Sequence, residues 1–375
     1  MKLRLNRRLS FLLVLLGALA TRELALELRP SFLRPGLHLM AYVGNTGDGT
    51  LTVVDLVKLA PVTTVFVGQG PSGVRAHPAR NEIWGLSSAG GYLWILDAKS
   101  NQIAARIPVG AAPYALDFSP DGRRAYVASS GANAIVAIDC ASRAVVARGP
   151  AERHPWIARV TPDGKTVVVT NRDDNSLSLL DAASLASRGV VGVVSQPEQI
   201  AILPDGSKAF VTSGSSNQIS VVDLRRTELL ANLAIGGAPD DLILKPDGGE
   251  LYIPSSSAHG LLVVNTQTNE VGDFMVVGMS PVAGTTTPDA QRLYVSDSAA
   301  AHIVPIAIET RQVGRPITVG QEPRTSRLTP GGDILLVVDA ASNDLAVIRA
   351  NAPTPRLITL IQVGPRPRDL AVKIF

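Results

Sequence analysis

The sequence predicts an all-β protein in which eight four-stranded antiparallel sheets close into a single β-propeller. Three observations support this fold class: a repeat of 42 residues, a composition rich in turn residues, and a final segment that matches a strand missing from the first repeat. The 375 residues include 33 Gly and 26 Pro, and 46% are hydrophobic. Short strands separated by Gly and Pro turns are typical of sandwiches, barrels and propellers.

The repeat is defined by an apolar anchor residue inside a short β-branched run. The anchors are Tyr42, Trp84, Tyr126, Val168, Phe210, Tyr252, Tyr294 and Leu336, each 42 residues after the last. A small polar residue follows three positions after every anchor, from Asn45 in the first copy to Asp339 in the eighth. Self-similarity at such a period indicates stacked structural repeats.

Other landmarks keep the same period and divide each repeat into four strands, A to D. A second β-branched run ends in an acidic or amide residue at Asp55, Asp97, Asp139, Asp181, Asp223 and Asn265. A proline precedes strand A at Pro71, Pro113, Pro155, Pro197, Pro239, Pro281, Pro323 and Pro367. The turn Pro120-Asp121-Gly122, with later copies, predicts a tight A–B hairpin. We expect the Asp at the end of strand C to bond the backbone of the next turn.

The two ends of the repeat region predict a closed ring. The first repeat begins at strand B, and the chain ends with residues 368–375, which match an unpaired strand A. We therefore expect the C-terminal strand to complete the first blade as a non-covalent clasp. Radial stacking then buries both faces of every sheet and leaves only short edges.

The strings AYVAS and VVVTN, together with VAID, PDG and VG-x-x-P, resemble the YVTN β-propeller repeat family. The resemblance covers about residues 39–375 and implies a propeller fold, but its repeated residues are structural and imply no function. Propellers of this family often have seven blades, so a count of eight departs from the pattern. Eight blades are also used by the haem-binding propeller of dihaem nitrite reductases and related cofactor-maturation proteins.

The N-terminus has the order of parts of a secretory signal. Lys2, Arg4, Arg7 and Arg8 precede a short apolar run, and Ala18-Leu19-Ala20 provides a small-x-small cleavage site. The apolar run is too short to span a bilayer, which takes roughly 20 residues. We predict a signal peptide at 1–20, a linker at 21–38 and the propeller at 39–375. The mature protein is expected in the periplasm or outside the cell, with no membrane span.

Charge and cysteine usage exclude several classes of partner and chemistry. Without residues 1–20 the chain has 31 basic and 32 acidic residues, so no nucleic-acid surface is expected. Cys140 is the only cysteine, which rules out an internal disulfide, and the absence of CxxCH rules out covalent c-type haem attachment. Cys140 is interpreted as a small buried side chain. We expect a monomer.

Candidate ligand-binding residues lie on the face formed by the D–A and B–C loops, which we call the rim face. Large or charged side chains lie next to the prolines that precede strand A, which we call the rim prolines. From these side chains we predict a site formed by Tyr114, His154, Trp156, Glu198, Asp240, Arg324 and Arg368. Arg327 and Arg366 belong to the same basic arc from blade 8 to blade 1. Arginines suit carboxylates or phosphates, and Trp156 offers an apolar platform. The alternative is a set of solvated loop charges that balance each other.

Other candidate residues are less specific. His259 and His302 are expected in B–C loops on the rim face, and His77 next to an A–B turn on the opposite face. The alternative interpretation is that these are surface histidines without a ligand. Asp173-Asp174-Asn175 has oxygen ligands for calcium but lacks further spaced carboxylates, so a polar hairpin is favoured.

Two functions remain open at this stage. The first is a non-catalytic scaffold that binds a small anionic ligand or a protein, with no catalytic residue, no metal site and no cofactor. The second is a cofactor-dependent periplasmic enzyme or cofactor-maturation factor that binds an anionic planar ligand, such as a haem, at the channel mouth. A lactonase-like hydrolase would need channel carboxylates around a metal, for which Glu198 and Asp240 are the only support.

Overall fold

The computed structural model describes residues 38–375, so the predicted signal peptide and nearly all of the predicted linker lie outside the described residues. The described chain forms eight four-stranded sheets, and neighbouring strands within each sheet run antiparallel. The predicted eight-bladed ring is therefore confirmed. One short 3₁₀ helix, Ser130–Ala132, lies between strands B and C of the third blade.

Each blade runs from an inner strand A to an outer strand D. The A strands are β4 (Pro71–Ala76), β8 (Pro113–Phe118), β12 (Pro155–Val160), β16 (Pro197–Ile202), β20 (Ile243–Leu244), β24 (Pro281–Thr286), β28 (Pro323–Leu328) and β32 (Pro367–Ile374). The B strands are β1 (Leu39–Asn45), β5 (Glu82–Ser87), β9 (Arg124–Ser129), β13 (Thr166–Asn171), β17 (Lys208–Ser213), β21 (Glu250–Ser255), β25 (Arg292–Asp297) and β29 (Ile334–Asp339).

The remaining strands complete the blades outward. The C strands are β2 (Thr50–Asp55), β6 (Tyr92–Asp97), β10 (Ala134–Asp139), β14 (Ser176–Asp181), β18 (Gln218–Asp223), β22 (Gly260–Asn265), β26 (His302–Ala307) and β30 (Asp344–Arg349). The D strands are β3 (Ala60–Phe66), β7 (Gln102–Pro108), β11 (Ala144–Pro150), β15 (Ser187–Gly192), β19 (Glu228–Ala234), β23 (Glu270–Val276), β27 (Ile317–Thr318) and β31 (Arg356–Gln362).

The ring closes through the C-terminal strand, as predicted. Strand β32 pairs antiparallel with β1, with Leu39 opposite Ile374 and Tyr42 opposite Ala371. The pairing continues beyond the strands, because the His38 and Phe375 backbones exchange two hydrogen bonds of 2.7 and 3.1 Å. Blade 1 is thus built from both ends of the described chain, which removes a free sheet edge.

The core consists of side chains packed between neighbouring blades. All eight anchor residues are at most 1% exposed. Three anchor tyrosines also bond the next blade, since Tyr42, Tyr126 and Tyr294 donate to the carbonyls of Ala98, Ala182 and Ala350 at 3.3, 2.7 and 2.7 Å. The carboxylate that ends strand C accepts two backbone N–H groups of the following turn, as Asp139 does from Ala141 and Ser142.

Two strands are shorter than the repeat predicts. In blade 6 the backbone N–H of Asp240 bonds the carbonyl of Pro254, and only Ile243–Leu244 forms regular strand A. In blade 7 strand D is reduced to Ile317–Thr318. Pro316 directly precedes it, and a proline has no N–H to give to a sheet ladder.

Candidate functional site

The D–A and B–C loops lie on one face and are bonded to each other, as the repeat order predicts. In blade 3, the Ser130 and Gly131 N–H groups donate to the carbonyls of Ala112 and Ala111, both at 3.1 Å. Gly70 and Ser88 in blade 2 make the same contact at 3.1 Å. The rim face is therefore a fixed backbone frame that holds the side chains flanking each rim proline.

A central cavity of about 1180 Å³ opens among the inner strands. Four of the predicted site residues line its wall: Tyr114, Asp240, Arg324 and Arg368. His154, Trp156 and Glu198 are not part of the wall, and they lie behind it on blades 4 and 5. A cavity of this size can enclose a drug-sized or cofactor-sized molecule.

The predicted residues on blades 1, 3 and 4 form one continuous stack at the cavity mouth. Arg368 donates from Nη2 to the Tyr114 hydroxyl at 3.0 Å, and its guanidinium lies 5.8 Å from the centre of the Tyr114 ring. The Tyr114 and Trp156 rings stack with centroids 3.6 Å apart and planes 20° apart. The Arg172 guanidinium lies 5.1 Å from the centre of the Trp156 ring. We call this series the mouth stack.

The mouth stack is anchored at its far end by charge. Arg172 pairs with Glu198 at 2.8 Å, and both side chains are about 30% exposed. His154 meets the edge of Trp156 at 5.5 Å and lies 3.3 Å from a carboxylate oxygen of Asp173. Burial raises the pKa of the Tyr114 hydroxyl, and the Arg368 charge acts in the opposite direction. The phenol therefore stays protonated at neutral pH.

The mouth stack changes the role of Trp156 relative to the sequence interpretation. Its ring is stacked on Tyr114 and also contacts the Arg172 guanidinium, and it does not line the cavity. Trp156 thus supports Tyr114 from behind, and Tyr114 and Arg368 present the surface that faces the cavity. Arg172 has no counterpart in the sequence prediction, although it directly follows the polar residue at the end of strand B.

The other predicted residues occupy the opposite part of the rim. Asp240 accepts a hydrogen bond of 2.6 Å from the Ser256 N–H, and burial raises its pKa. Arg324 pairs with Glu322 at 3.7 Å, with both side chains about half exposed, so this pair stabilises little. Arg327 lies deeper than the arc to which the sequence analysis assigned it.

The remaining candidates have structural contacts. His77 is buried at 1% exposure, which corrects its interpretation as a surface residue, and its Nδ1 accepts the N–H groups of Ala79 and Arg80. His259 contacts the Met279 carbonyl, and His302 begins strand β26 rather than lying in a loop. Burial raises the pKa of the Cys140 thiol to about 12, so the thiolate is not formed at neutral pH.

Acidic clusters in the described chain are occupied by protein partners. Asp174 accepts from the backbone and side chain of Arg153. Glu198 is paired with Arg172, and Asp240 is bonded to backbone, so neither stands in a carboxylate cluster. Across residues 38–375, no group of three or more His, Cys, Asp or Glu side chains is placed to hold a metal ion. The same residues contain no helix long and apolar enough to cross a membrane.

These features define a β-propeller with a polar central cavity, in which Tyr114 is the one aromatic residue of the described wall. No protein-family model and no curated protein matches the sequence. Solved structures do resemble the fold. Dihydro-heme d1 dehydrogenase NirN, in complex with DHE, has a TM-score of 0.74 at 18% identity, over 91% of this chain and 76% of that one.

Two further structures show the same fold over shorter stretches. Hydrazine synthase of Kuenenia stuttgartiensis has a TM-score of 0.61 at 16% identity, over 75% of this chain and 96% of that one. A functionally unknown protein from Desulfotomaculum acetoxidans has a TM-score of 0.58 at 14% identity, over 74% and 94% of the two chains. Structural similarity at sequence identities this low shows the propeller fold alone.

Proposed function

We propose that this chain is an exported, YVTN-type repeat propeller that acts as a non-catalytic binding scaffold, with a small anionic ligand seated in its central cavity. The observation that carries the proposal is the mouth stack. It holds Tyr114 and Arg368 together at the cavity wall by stacking and a charge-assisted hydrogen bond. Side chains fixed in this way lose little freedom when a ligand binds.

The charge around the mouth favours an anion. Arg366 and Arg368 are both exposed at the rim and line the cavity. Among residues 38–375, neither has a carboxylate within ion-pair distance. Six arginines and four carboxylates line the described cavity wall, so positive charge is in excess there. Guanidinium groups recognise carboxylate and phosphate groups through paired hydrogen bonds.

Hemin, a planar molecule with two carboxylates, is a suitable probe for this proposal. We expect Arg368→Gln and Tyr114→Ala each to weaken hemin binding about ten- to a hundredfold, because a charged hydrogen bond contributes about 1.5–3 kcal/mol. The control is Arg225→Gln, whose guanidinium is exposed and pairs only weakly with Asp205 at 3.9 Å. Equal losses in all three variants, or no binding by the unchanged chain, would contradict the proposal.

A second candidate is a cofactor-dependent enzyme or a cofactor-maturation factor that binds a haem-type molecule. Its support is the eight-bladed fold, which the structure of NirN in complex with DHE shares. The cavity wall suits the acidic groups of such a molecule. Of the side chains that ligate haem iron, the described wall offers only Tyr114, whose hydroxyl already accepts from Arg368. His154 lies behind the wall, next to Trp156.

An absorption spectrum of protein purified from its native compartment separates the two candidates. A Soret band that persists through purification favours the cofactor-binding function, and its absence favours the scaffold. We also propose a periplasmic or extracellular location and a monomeric state, which N-terminal sequencing of exported protein and light scattering test directly. Export with cleavage after Ala20 gives a chain that begins at Thr21.

A further inference from the structure

Three arginines project from the inner strands below the rim. Arg75, Arg159 and Arg327 each lie four residues after a rim proline, on blades 2, 4 and 8, and all three line the central cavity. At the usual rise of a strand, they lie about 10 Å below the residue that follows the proline. Blades 4 and 8 are opposite each other in a ring of eight, so Arg159 and Arg327 approach the axis from two sides.

The carboxylates in this region, Asp117, Asp241 and Asp369, accept hydrogen bonds from backbone N–H groups, and of the three Asp369 is also paired with an arginine, Arg75. Asp117 accepts from the Val160 N–H of the next blade at 3.0 Å. Asp369 accepts from the Val74 N–H of the next blade and from Leu370, both at 2.9 Å. Each carboxylate thus ties its inner strand to the neighbouring one, which gives it a structural role.

Asp241 follows the same rule in blade 6. It accepts from the Leu242 N–H at 2.9 Å and bonds the backbone of Gly284 on the next blade. Burial raises its pKa to about 6, so it is mostly ionised at neutral pH. The carboxylates are therefore present as charges, but their hydrogen-bonding capacity is largely taken by N–H groups.

The arginines differ in how well they are paired. Arg75 lies 3.4 Å from Asp369. Arg159 makes only a 3.4 Å contact with the carbonyl of its own neighbour Ala158. Arg327 has no hydrogen bond or ion pair within residues 38–375. Desolvation at the narrow inner wall lowers the pKa of both Arg159 and Arg327, and the Arg75 charge acts in the same direction, whereas the carboxylates of Asp241 and Asp369 act against it. For Arg159, the carboxylate of Asp117 also acts against it. Arg159 is half-buried and Arg327 is exposed to the cavity, and among residues 38–375 neither has a carboxylate within ion-pair distance. Guanidinium groups placed in this way are available to an anion that enters the cavity.

We propose that the floor of the cavity binds an oxyanion group, a carboxylate or a phosphate, between Arg159 and Arg327. This deepens the proposed function, on which it rests, by naming the group that the ligand carries at its inner end. The two guanidiniums offer planar N–H pairs to an anion on the axis, which is the geometry that carboxylate and phosphate accept. A ligand with a planar part against Tyr114 and an oxyanion at the other end would contact both regions.

The test uses inorganic phosphate and malonate as separate probes, with sodium chloride at matched ionic strength. Calorimetry gives the dissociation constant, and thermal unfolding gives the shift of the midpoint. We expect either oxyanion to raise the midpoint more than chloride does. Arg159→Gln and Arg327→Gln should weaken binding about ten- to a hundredfold. The relative affinity for malonate and phosphate identifies which oxyanion the site prefers. Arg225→Gln is the matched control and should behave like the unchanged protein.

The unfolding midpoint without oxyanions separates this inference from a structural role of the two arginines. If they face an anion site, each Gln variant melts at or above the unchanged protein, because an unpaired charge has been removed. A lower midpoint in this buffer, an equal response to chloride, or a retained oxyanion response in both variants would overturn the inference. Hemin binding that persists while the phosphate and malonate responses are absent would refute the floor site alone. A phosphate or malonate response without hemin binding would refute the mouth site alone.

Discussion

The small polar residue three positions after each anchor is buried, and its chemistry differs between blades. In blade 4, Asn171 donates from Nδ2 to the hydroxyls of Ser176 and Ser178 at 3.0 and 2.8 Å. In blade 8 the equivalent pair is Asp339 and Asp344, two carboxyl groups that are 0% and 7% exposed. Burial, followed by the interaction with Asp344, raises the pKa of Asp339 to about 9. Blade 8 therefore holds a proton at the position where blade 4 has an amide.

We expect Asp339→Asn to stabilise the protein at pH 8 and to flatten its pH dependence. The unfolded chain releases this proton near 3.8, whereas the folded chain keeps it to about pH 9. Between these values the folded state binds more protons, so stability falls as the pH rises. An amide supplies the N–H permanently, and a gain of about 1–3 kcal/mol at pH 8 is expected. Urea unfolding at pH 5 and pH 8 measures it.

Asp297→Asn is the matched control for this prediction. Asp297 occupies the same register in blade 7, but its two oxygens accept the N–H groups of Met279 and Ser280 at 2.9 and 2.8 Å. An amide there would present an NH₂ group to an N–H donor, so this variant should be less stable at both pH values. A similar gain from both substitutions would show that the Asp339 proton is not the cause.

At the scale of elements, the last strand is the one that closes the ring. Strand β32 pairs with β1 and inserts Leu370, which is 1% exposed, into a cluster with Leu39 and Leu336. Its loss would leave the β1 edge unpaired and open to association with other chains. The strand thus contributes both backbone pairing and a buried side chain to blade 1.

We expect Leu370→Ala to lower the free energy of unfolding by about 2–5 kcal/mol, the usual cost of truncating a buried leucine. Leu360→Ala is the control, because Leu360 lies on the outer strand β31 and is 44% exposed. Its change should stay within about 0.5 kcal/mol. Chemical denaturation of both variants provides the comparison. Equal effects would mean that the C-terminal strand does not pack as described.

For the whole molecule, the sequence was sufficient to predict the ring, because the positions that repeat every 42 residues are those whose side chains pack between neighbouring blades. Every anchor such as Tyr42 or Phe210 must fill the space between two blades, so its apolar character recurs at the repeat length. The unpaired residues 368–375 predicted the closure for the same reason. The shortened strands β20 and β27 were not foreseen, because a local backbone bond at Asp240 and a proline at Pro316 override the repeat there.

The candidate site was predictable only in part. The repeat determines which loop a residue occupies, but it does not determine which residues of other blades its side chain contacts. Tyr114, Trp156 and Arg368 were placed on the correct face, yet their mutual stacking depends on side chains that reach between blades. Arg172 was missed since it follows strand B, away from the rim prolines. Arg159 was missed because the sequence shows only a single arginine within a strand. Whether a carboxylate pairs with that arginine depends on the neighbouring blades, which the local sequence does not reveal.

Because blade 1 is built from both ends of the described chain, its strand pairing is expected to slow the unfolding of the whole ring. The backbones of His38 and Phe375 are paired as in a hairpin, so a short Asn-Gly turn can join them. New termini can then be opened at two places. Opening between Asp205 and Gly206 splits blade 5 and recreates a clasp there. Opening between Ser195 and Gln196 separates blades 4 and 5 and leaves every blade continuous in sequence.

We expect the permuted chain opened between Asp205 and Gly206 to unfold as slowly as the parent, whereas the chain opened between Ser195 and Gln196 unfolds faster. In the first, separating the ends requires one blade to lose a strand pairing such as that between β16 and β17. In the second, only the packing between two intact blades resists opening. Stopped-flow unfolding in guanidinium measures both rates, and circular dichroism checks that both chains fold. Equal unfolding rates in the two permuted chains would show that packing between blades, rather than the shared blade, keeps the ring closed.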